Sequence, residues 1–309
     1  MLVFSTSDKG GTGRSVTSSN IAYRLCVDGH DVAYVDFDFG SPTSGSLFEI
    51  TSVQRGLPVS DEDSEVGVHR YLLGSSARCA RFDVGATTDR SGLRNTGSST
   101  GRLVLLPGDE GGAEFLTCNN TTVTRCAQLL TELDQEFSIV VVDLSAGRSV
   151  ALEIALKTTA LEQLRDHSTR WLIFHRWTRQ HILAAAGLVY GPNGLLNTGV
   201  NYGHKREELL GSVRYVRTAV PGSGVGSGGE GAQSTWLQEQ NAALKRLATT
   251  SKLGMTALLG ATPIEPVLQW REQIILDSDV DANIAAPETV AAYQLLARRL
   301  MDNAAWERL

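Results

Sequence analysis

Residues 2–35 hold the pattern that most limits the fold. Leu2-Val3-Phe4-Ser5-Thr6-Ser7 is a short apolar run that reads as a strand. Asp8-Lys9-Gly10-Gly11-Thr12-Gly13 is a glycine-rich turn. From Ser15 to Asp28, Val16, Ile21, Ala22, Leu25 and Cys26 recur at helical spacing. Gly29 stops that helix, and Val32-Ala33-Tyr34-Val35 starts a second strand. A parallel neighbour needs a crossover connection, so strand, loop, helix and strand in this order is the building unit of parallel α/β sheets.

The rhythm continues to the end of the chain. Leu103–Leu106 reads as a strand stopped by Pro107-Gly108, Val123–Leu133 as a helix, and Phe137–Val142 as a strand. The last is a nearly continuous β-branched run, as expected where helices cover both faces of a sheet. Val150–Leu164 reads as a helix, Trp171–Phe174 as a strand, Arg179–Val189 as a helix and Val213–Val216 as a strand. Thr235–Ala248 reads as a helix, Met255–Leu259 as a last strand and Pro287–Met301 as a terminal helix. The expected fold is α/β, a doubly wound, mostly parallel sheet with helices on both faces, in a single domain over residues 1–309. Residues 51–101 interrupt it with a polar excursion, in which Val66–Gly74 could be a helix. Pro221–Gly231, six of whose eleven residues are glycine, reads as a flexible loop.

Composition removes several classes. The net charge of −6 argues against a protein whose whole surface coats nucleic acid. No apolar run approaches the ~18–20 residues of a membrane span, and Met1–Phe4 does not read as a basic signal leader. Cys26, Cys79, Cys118 and Cys126 form no C-x-x-C pair and no metal-binding spacing, so reduced thiols in a cytoplasmic protein are expected.

A phosphate-binding loop needs glycines that let backbone N–H groups turn inward, a helix N-terminus behind them, a cation and a hydroxyl for Mg²⁺. Asp8-Lys9-Gly10-Gly11-Thr12-Gly13-Arg14-Ser15 supplies these, except that arginine stands where G-x-x-x-x-G-K-[ST] has lysine. The string resembles the deviant Walker A loop K-G-G-x-G-K-[ST] of ParA/MinD proteins, in the SIMIBI class of P-loop proteins. It matches at Lys9, Gly10, Gly11, Gly13 and Ser15 and departs at Arg14. A narrower resemblance is to actinobacterial variant P-loop proteins with a K-G-G-T-G-R-S loop. Val35-Asp36-Phe37-Asp38-Phe39-Gly40-Ser41-Pro42 resembles the family's D-x-D-x-x-x-P segment, and Val142-Asp143-Leu144-Ser145-Ala146-Gly147 its Walker B and switch segment. Leu103–Gly108 and Gly260–Val267 are weaker echoes.

The resemblance implies ATP or ADP with Mg²⁺. Lys9, Gly10, Gly11, Thr12, Gly13, Arg14, Ser15 and Val16 would bind phosphates, with Pro263 near the adenine. Ser15 and Asp143 would hold Mg²⁺, and Asp36 or Asp38 would orient the attacking water. Lys9 would reach the phosphates of a partner subunit, which implies a homodimer. A further protein partner is expected, DNA remains open, and no membrane is. Lys9 before Gly10-Gly11 speaks against a small-molecule ligase or kinase of the superfamily.

Guanidinium is larger than ammonium, planar and bidentate, so Arg14 is not a conservative change. The chain has 28 basic residues, only five of them lysine (Lys9, Lys157, Lys205, Lys245 and Lys252), yet Lys9 is still lysine. Three readings follow. Arg14 forks onto the β/γ-phosphates and slows hydrolysis, or it serves an ordinary ATPase for positioning or partitioning, or it points away and binding is lost. The first ranks highest, and a non-hydrolysing scaffold that regulates a partner enzyme is its near relative. Trp171–His181 reads equally as a recognition segment or as a buried Trp cluster. Gln269-Trp270-Arg271-Glu272 reads as a second such string or as a helix face with one core Trp. Arg170, Arg176, Arg179, Arg214 and Arg217 could form a basic patch.

Overall fold

The structure is a computed structural model that describes residues 1–59, 65–94, 100–221 and 232–307. Among the described residues ten strands appear in chain order: β1 Leu2–Thr6, β2 Val32–Phe37, β3 Glu65–Val66, β4 Arg78–Cys79, β5 Phe82–Asp83, β6 Leu103–Leu106, β7 Ile139–Leu144, β8 Thr169–Arg176, β9 Val213–Val220 and β10 Leu258–Pro263. Eight of them form one sheet in the order β10-β9-β8-β1-β7-β2-β6-β5, and β3 pairs with β4 separately. Every neighbour pair in the large sheet is parallel except β5 with β6.

Side-chain alternation sorts the sheet into two buried faces. Phe4, Val140, Val142 and Trp171 face a cluster closed by the helices Asn120–Glu136, Val150–Thr159 and Arg179–Tyr190. Val3, Ile139, Val141 and Phe174 face the other, closed by the helix α1, Arg14–Val27, and the helix Pro287–Met301. This is the doubly wound arrangement that the sequence implied.

Some boundaries differ. Met255–Ala257 is a single 3₁₀ turn, and the last strand begins only at Leu258. Thr159 ends the helix expected to run to Leu164, and Glu162–Arg165 forms a separate turn of helix. Within 51–101, Val66, Val68, Leu72, Cys79, Val84 and Leu93 are all buried, and β5 extends the sheet edge. The expected helix is there, as Val68–Leu73. After Pro221, the glycine-rich segment lies outside the described residues.

Candidate functional site

The C-terminal ends of β1, β2 and β7 meet beside the glycine-rich loop, in the crevice where such sheets bind ligands. Gly11 (φ +68°) and Gly13 (φ +73°) take left-handed conformations that other residues adopt only at a cost. Gly13 is also the N-cap of α1, and no side chain caps that end. The first turn carries no acidic residue. Its amide groups and its dipole therefore favour an anion. Thr218, on β9, fixes the loop by donating to the Thr12 carbonyl oxygen. Gly147 reaches the loop from the other side, its N–H donating to the Ser7 carbonyl at 2.7 Å. Arg148 pairs with Asp8 at 2.8 Å.

Lys9 is exposed. Among the described residues none accepts a hydrogen bond from its ammonium. Arg14 is the opposite case, with a side chain only 7% exposed. Its Nε donates to Asp143 Oδ1 at 2.7 Å, and its Nη2 donates to Asp38 Oδ2 at 2.7 Å and to Ser15 Oγ at 3.2 Å. The guanidinium thus lies among the site's own carboxylates, an arrangement that none of the three sequence readings contained. Burial opposes its charge, but Asp143 and then Asp38 outweigh burial and hold its pKa above the usual value. Burial pushes Asp143 upward, and Arg14 and Ser15 act against that.

The two acidic residues of β2 and its end have different surroundings. Asp36 is buried next to Asp143 in sheet register. Its Oδ2 accepts from the Ser44 hydroxyl at 2.6 Å and the Ser44 N–H at 3.1 Å, and its Oδ1 from the Asp38 N–H at 3.0 Å. Burial pushes its pKa up to about 7, despite the hydrogen bonds from Ser44. Asp38, 25% exposed, is the one that faces the crevice.

Mg²⁺ requires oxygen ligands at about 2.0–2.1 Å in near-octahedral geometry. Ser15 and Asp143 stand together, but a guanidinium occupies both, so the pair as arranged fits a fork of N–H donors and not that ion. Among the described residues no group of three His, Cys, Asp or Glu side chains could hold a metal.

A cleft of about 310 Å³ opens along the loop. Gly11, Gly13, Val16 and Thr17 form one part of its wall, and Arg176, Thr218, Pro263 and Gln269 another. Pro263 lines the same cleft as the loop glycines. Arg176 was already singled out by the sequence, within the Trp171–His181 segment and among the five arginines, whereas Thr218 and Tyr293 carried no signal there. Glu265, also on this wall, accepts from the Ala286 N–H at 2.9 Å and the Thr289 hydroxyl at 2.7 Å, which ties β10 to the start of the terminal helix.

The Trp171–His181 segment is mostly core. Trp171 stacks on Phe4 with centroids 4.6 Å apart, and His175 and Trp177 are buried, the latter under the Arg217 guanidinium. The five arginines do not converge: Arg170 and Arg214 both cover the Trp306 ring, while Arg176 lies at the cleft. Trp270 is not a core residue but is 92% exposed.

No protein-family model matches the chain, and no curated protein matches it significantly. Solved structures do. The MinD cell division protein of Aquifex aeolicus is 17% identical, with 97% of this chain and 96% of that one covered, at a TM-score of 0.60. The septum site-determining protein MinD of Pyrococcus horikoshii, complexed with Mg-ADP, is 14% identical over 98% of both chains at 0.55. A plasmid partition protein of Borrelia burgdorferi bound to AMPPNP is 14% identical, over 97% of this chain and 98% of that one, at 0.54. The chain shares the fold of these MinD and ParA-type proteins over its length.

Proposed function

We propose that this protein is a ParA/MinD-like nucleotide-binding switch, in which ATP seats on the loop Lys9–Val16 and joins two copies of the chain. The observation that carries the reading is the uncapped start of α1 behind two left-handed glycines, at the crevice where β1, β2 and β7 end. The nucleotides bound by the Pyrococcus and Borrelia proteins support it. In this reading the amides of Gly10 to Gly13 cradle phosphates, and the base lies toward Pro263. Lys9 acts on a second subunit's phosphates, a role supported by its exposure and by its lack of a hydrogen-bond partner among the described residues.

Hydrolysis is slow or absent. The two carboxylates that would orient an attacking water in this reading are both engaged, Asp36 buried under Ser44 and Asp38 paired with Arg14. That pairing favours a binding scaffold over an ordinary ATPase. Partner and location, expected to be another protein in the cytoplasm, belong to the same proposal. Among the described residues no helix is long and apolar enough to cross a membrane.

Turnover and molecular mass, measured together with and without ATP, test the proposal. Wild type should bind ATP and double in mass, and Lys9→Ala should bind ATP but stay monomeric. A wild type that neither binds ATP nor changes mass would refute it.

A further inference from the structure

A guanidinium carries five N–H donors in a fixed plane. In Arg14 three are engaged, one with Asp143, one with Asp38 and one with Ser15. The two on Nη1 have no hydrogen-bond partner among the described residues. The engaged oxygens include the pair, Ser15 and Asp143, that a phosphate-loop protein offers to a divalent metal. The geometry points to Arg14 as the resident cation of this site: it stands in for the divalent metal, and the loop takes a nucleoside triphosphate in its metal-free form. Nη1 is then the group left to meet a phosphate oxygen. The inference rests on the nucleotide reading above and specifies the ligand's ionic form.

Charge and geometry both support it. A guanidinium holds a carboxylate by charge-assisted hydrogen bonds of about 2.7–2.9 Å, the length found at both Asp38 and Asp143. Its charge cannot be removed by deprotonation, so the site has a cation at every accessible pH. A doubly charged ion placed beside it would be repelled strongly in a site screened from water. Admitting the metal would require Arg14 to leave two carboxylates. Lysine, a compact point charge, could not bridge these three oxygens in the same way, which gives the substitution at this position a function of its own.

The test is calorimetric binding of ATP to the full chain, once in EDTA and once in excess MgCl₂. Wild type should bind ATP no more tightly with Mg²⁺ than with EDTA. In Arg14→Lys the Ser15–Asp143 pair becomes free for the metal, and ATP binding should tighten at least about tenfold when Mg²⁺ replaces EDTA. If wild type binds ATP more tightly with Mg²⁺ than without, the inference is overturned and the nucleotide reading stands. If wild type binds ATP under neither condition, the nucleotide reading falls and the inference with it. The deciding comparison uses wild type alone, so it holds even if the lysine variant fails to fold.

Discussion

Replacing Arg14 with alanine leaves two carboxylates facing each other with no cation between them. Asp143 has a side chain only 4% exposed, whereas Asp38 is 25% exposed and can recover some hydration. Breaking one partner out of a buried ion pair costs about 3–5 kcal/mol, because a charge is stranded in the interior. With Asp38 partly rehydrated, the lower end applies, about 3 kcal/mol. The measurement is urea unfolding followed by circular dichroism, in EDTA. The cost should be specific to charge. In the double variant Arg14→Ala/Asp143→Asn the stranded charge is gone, so a coupling of more than about 1 kcal/mol between the two sites is expected. Added Mg²⁺ should stabilise Arg14→Ala, whose oxygens are exposed to the metal, and should not stabilise wild type. A loss below about 1 kcal/mol for Arg14→Ala, or additive effects in the double variant, would refute the claim that this guanidinium neutralises the crevice.

Two buried groups far apart in chemistry should give opposite pH slopes. Asp36 has a native pKa of about 7, against about 3.9 unfolded, so its contribution is present at low pH and is lost as pH rises through that window, up to about 4 kcal/mol. His175, pushed down to about 4 by burial against about 6.5 unfolded, contributes above that window and loses up to about 3 kcal/mol as pH falls through it. The two offset each other in wild type. Asp36→Asn should therefore lose stability toward acid more steeply than wild type, and His175→Gln less steeply, by urea unfolding from about pH 5 to about pH 8. Profiles parallel to wild type would remove both assignments. At Gly11 an added Cβ would meet nothing within 4 Å, so Gly11→Ala should cost only the left-handed backbone strain, about 1–2 kcal/mol. Its ATP affinity should fall far more than its stability, and equal losses in both would argue against a phosphate cradle there.

The layers of the fold were legible because their cause is local. β7 is a run of β-branched residues that only a doubly covered strand tolerates, and the glycines at 10, 11 and 13 punctuate strand and helix in a way few structures need. What was not legible depends on reach and company. Arg14 and Ser15 are adjacent in sequence, but nothing in the string says that the arginine side chain turns to β2 and β7. That direction follows from where Asp38 and Asp143 end in space. Asp36 and Asp38 are equivalent in the pattern, and only the later turn at Ser44 buries one and leaves the other on the crevice. Trp270 read either as part of a recognition string or as the core Trp of a helix face, and it sits exposed on a four-residue helix, Val267–Trp270.

The charge balance of the crevice connects the two basic residues of the loop. Arg14 supplies one positive charge to Asp38 and Asp143, which together carry two negative charges, so Arg14 itself has no surplus charge to give a triphosphate. Backbone amides and the helix dipole supply partial charge, and Nη1 two donors, but these add no net charge to the site. Arg176 lines the cleft, and Lys9, exposed on the loop, is a further full charge with no hydrogen-bond partner among the described residues. On the proposed reading its counterpart from a second subunit completes the phosphate's neutralisation. Nucleotide binding and subunit association are then linked more tightly than in a loop with its own free lysine, because each supplies what the other lacks. Arginine at position 14 would in that way move the protein from catalysis toward assembly: it fixes the carboxylates that hydrolysis would need and makes the trans lysine a requirement of association.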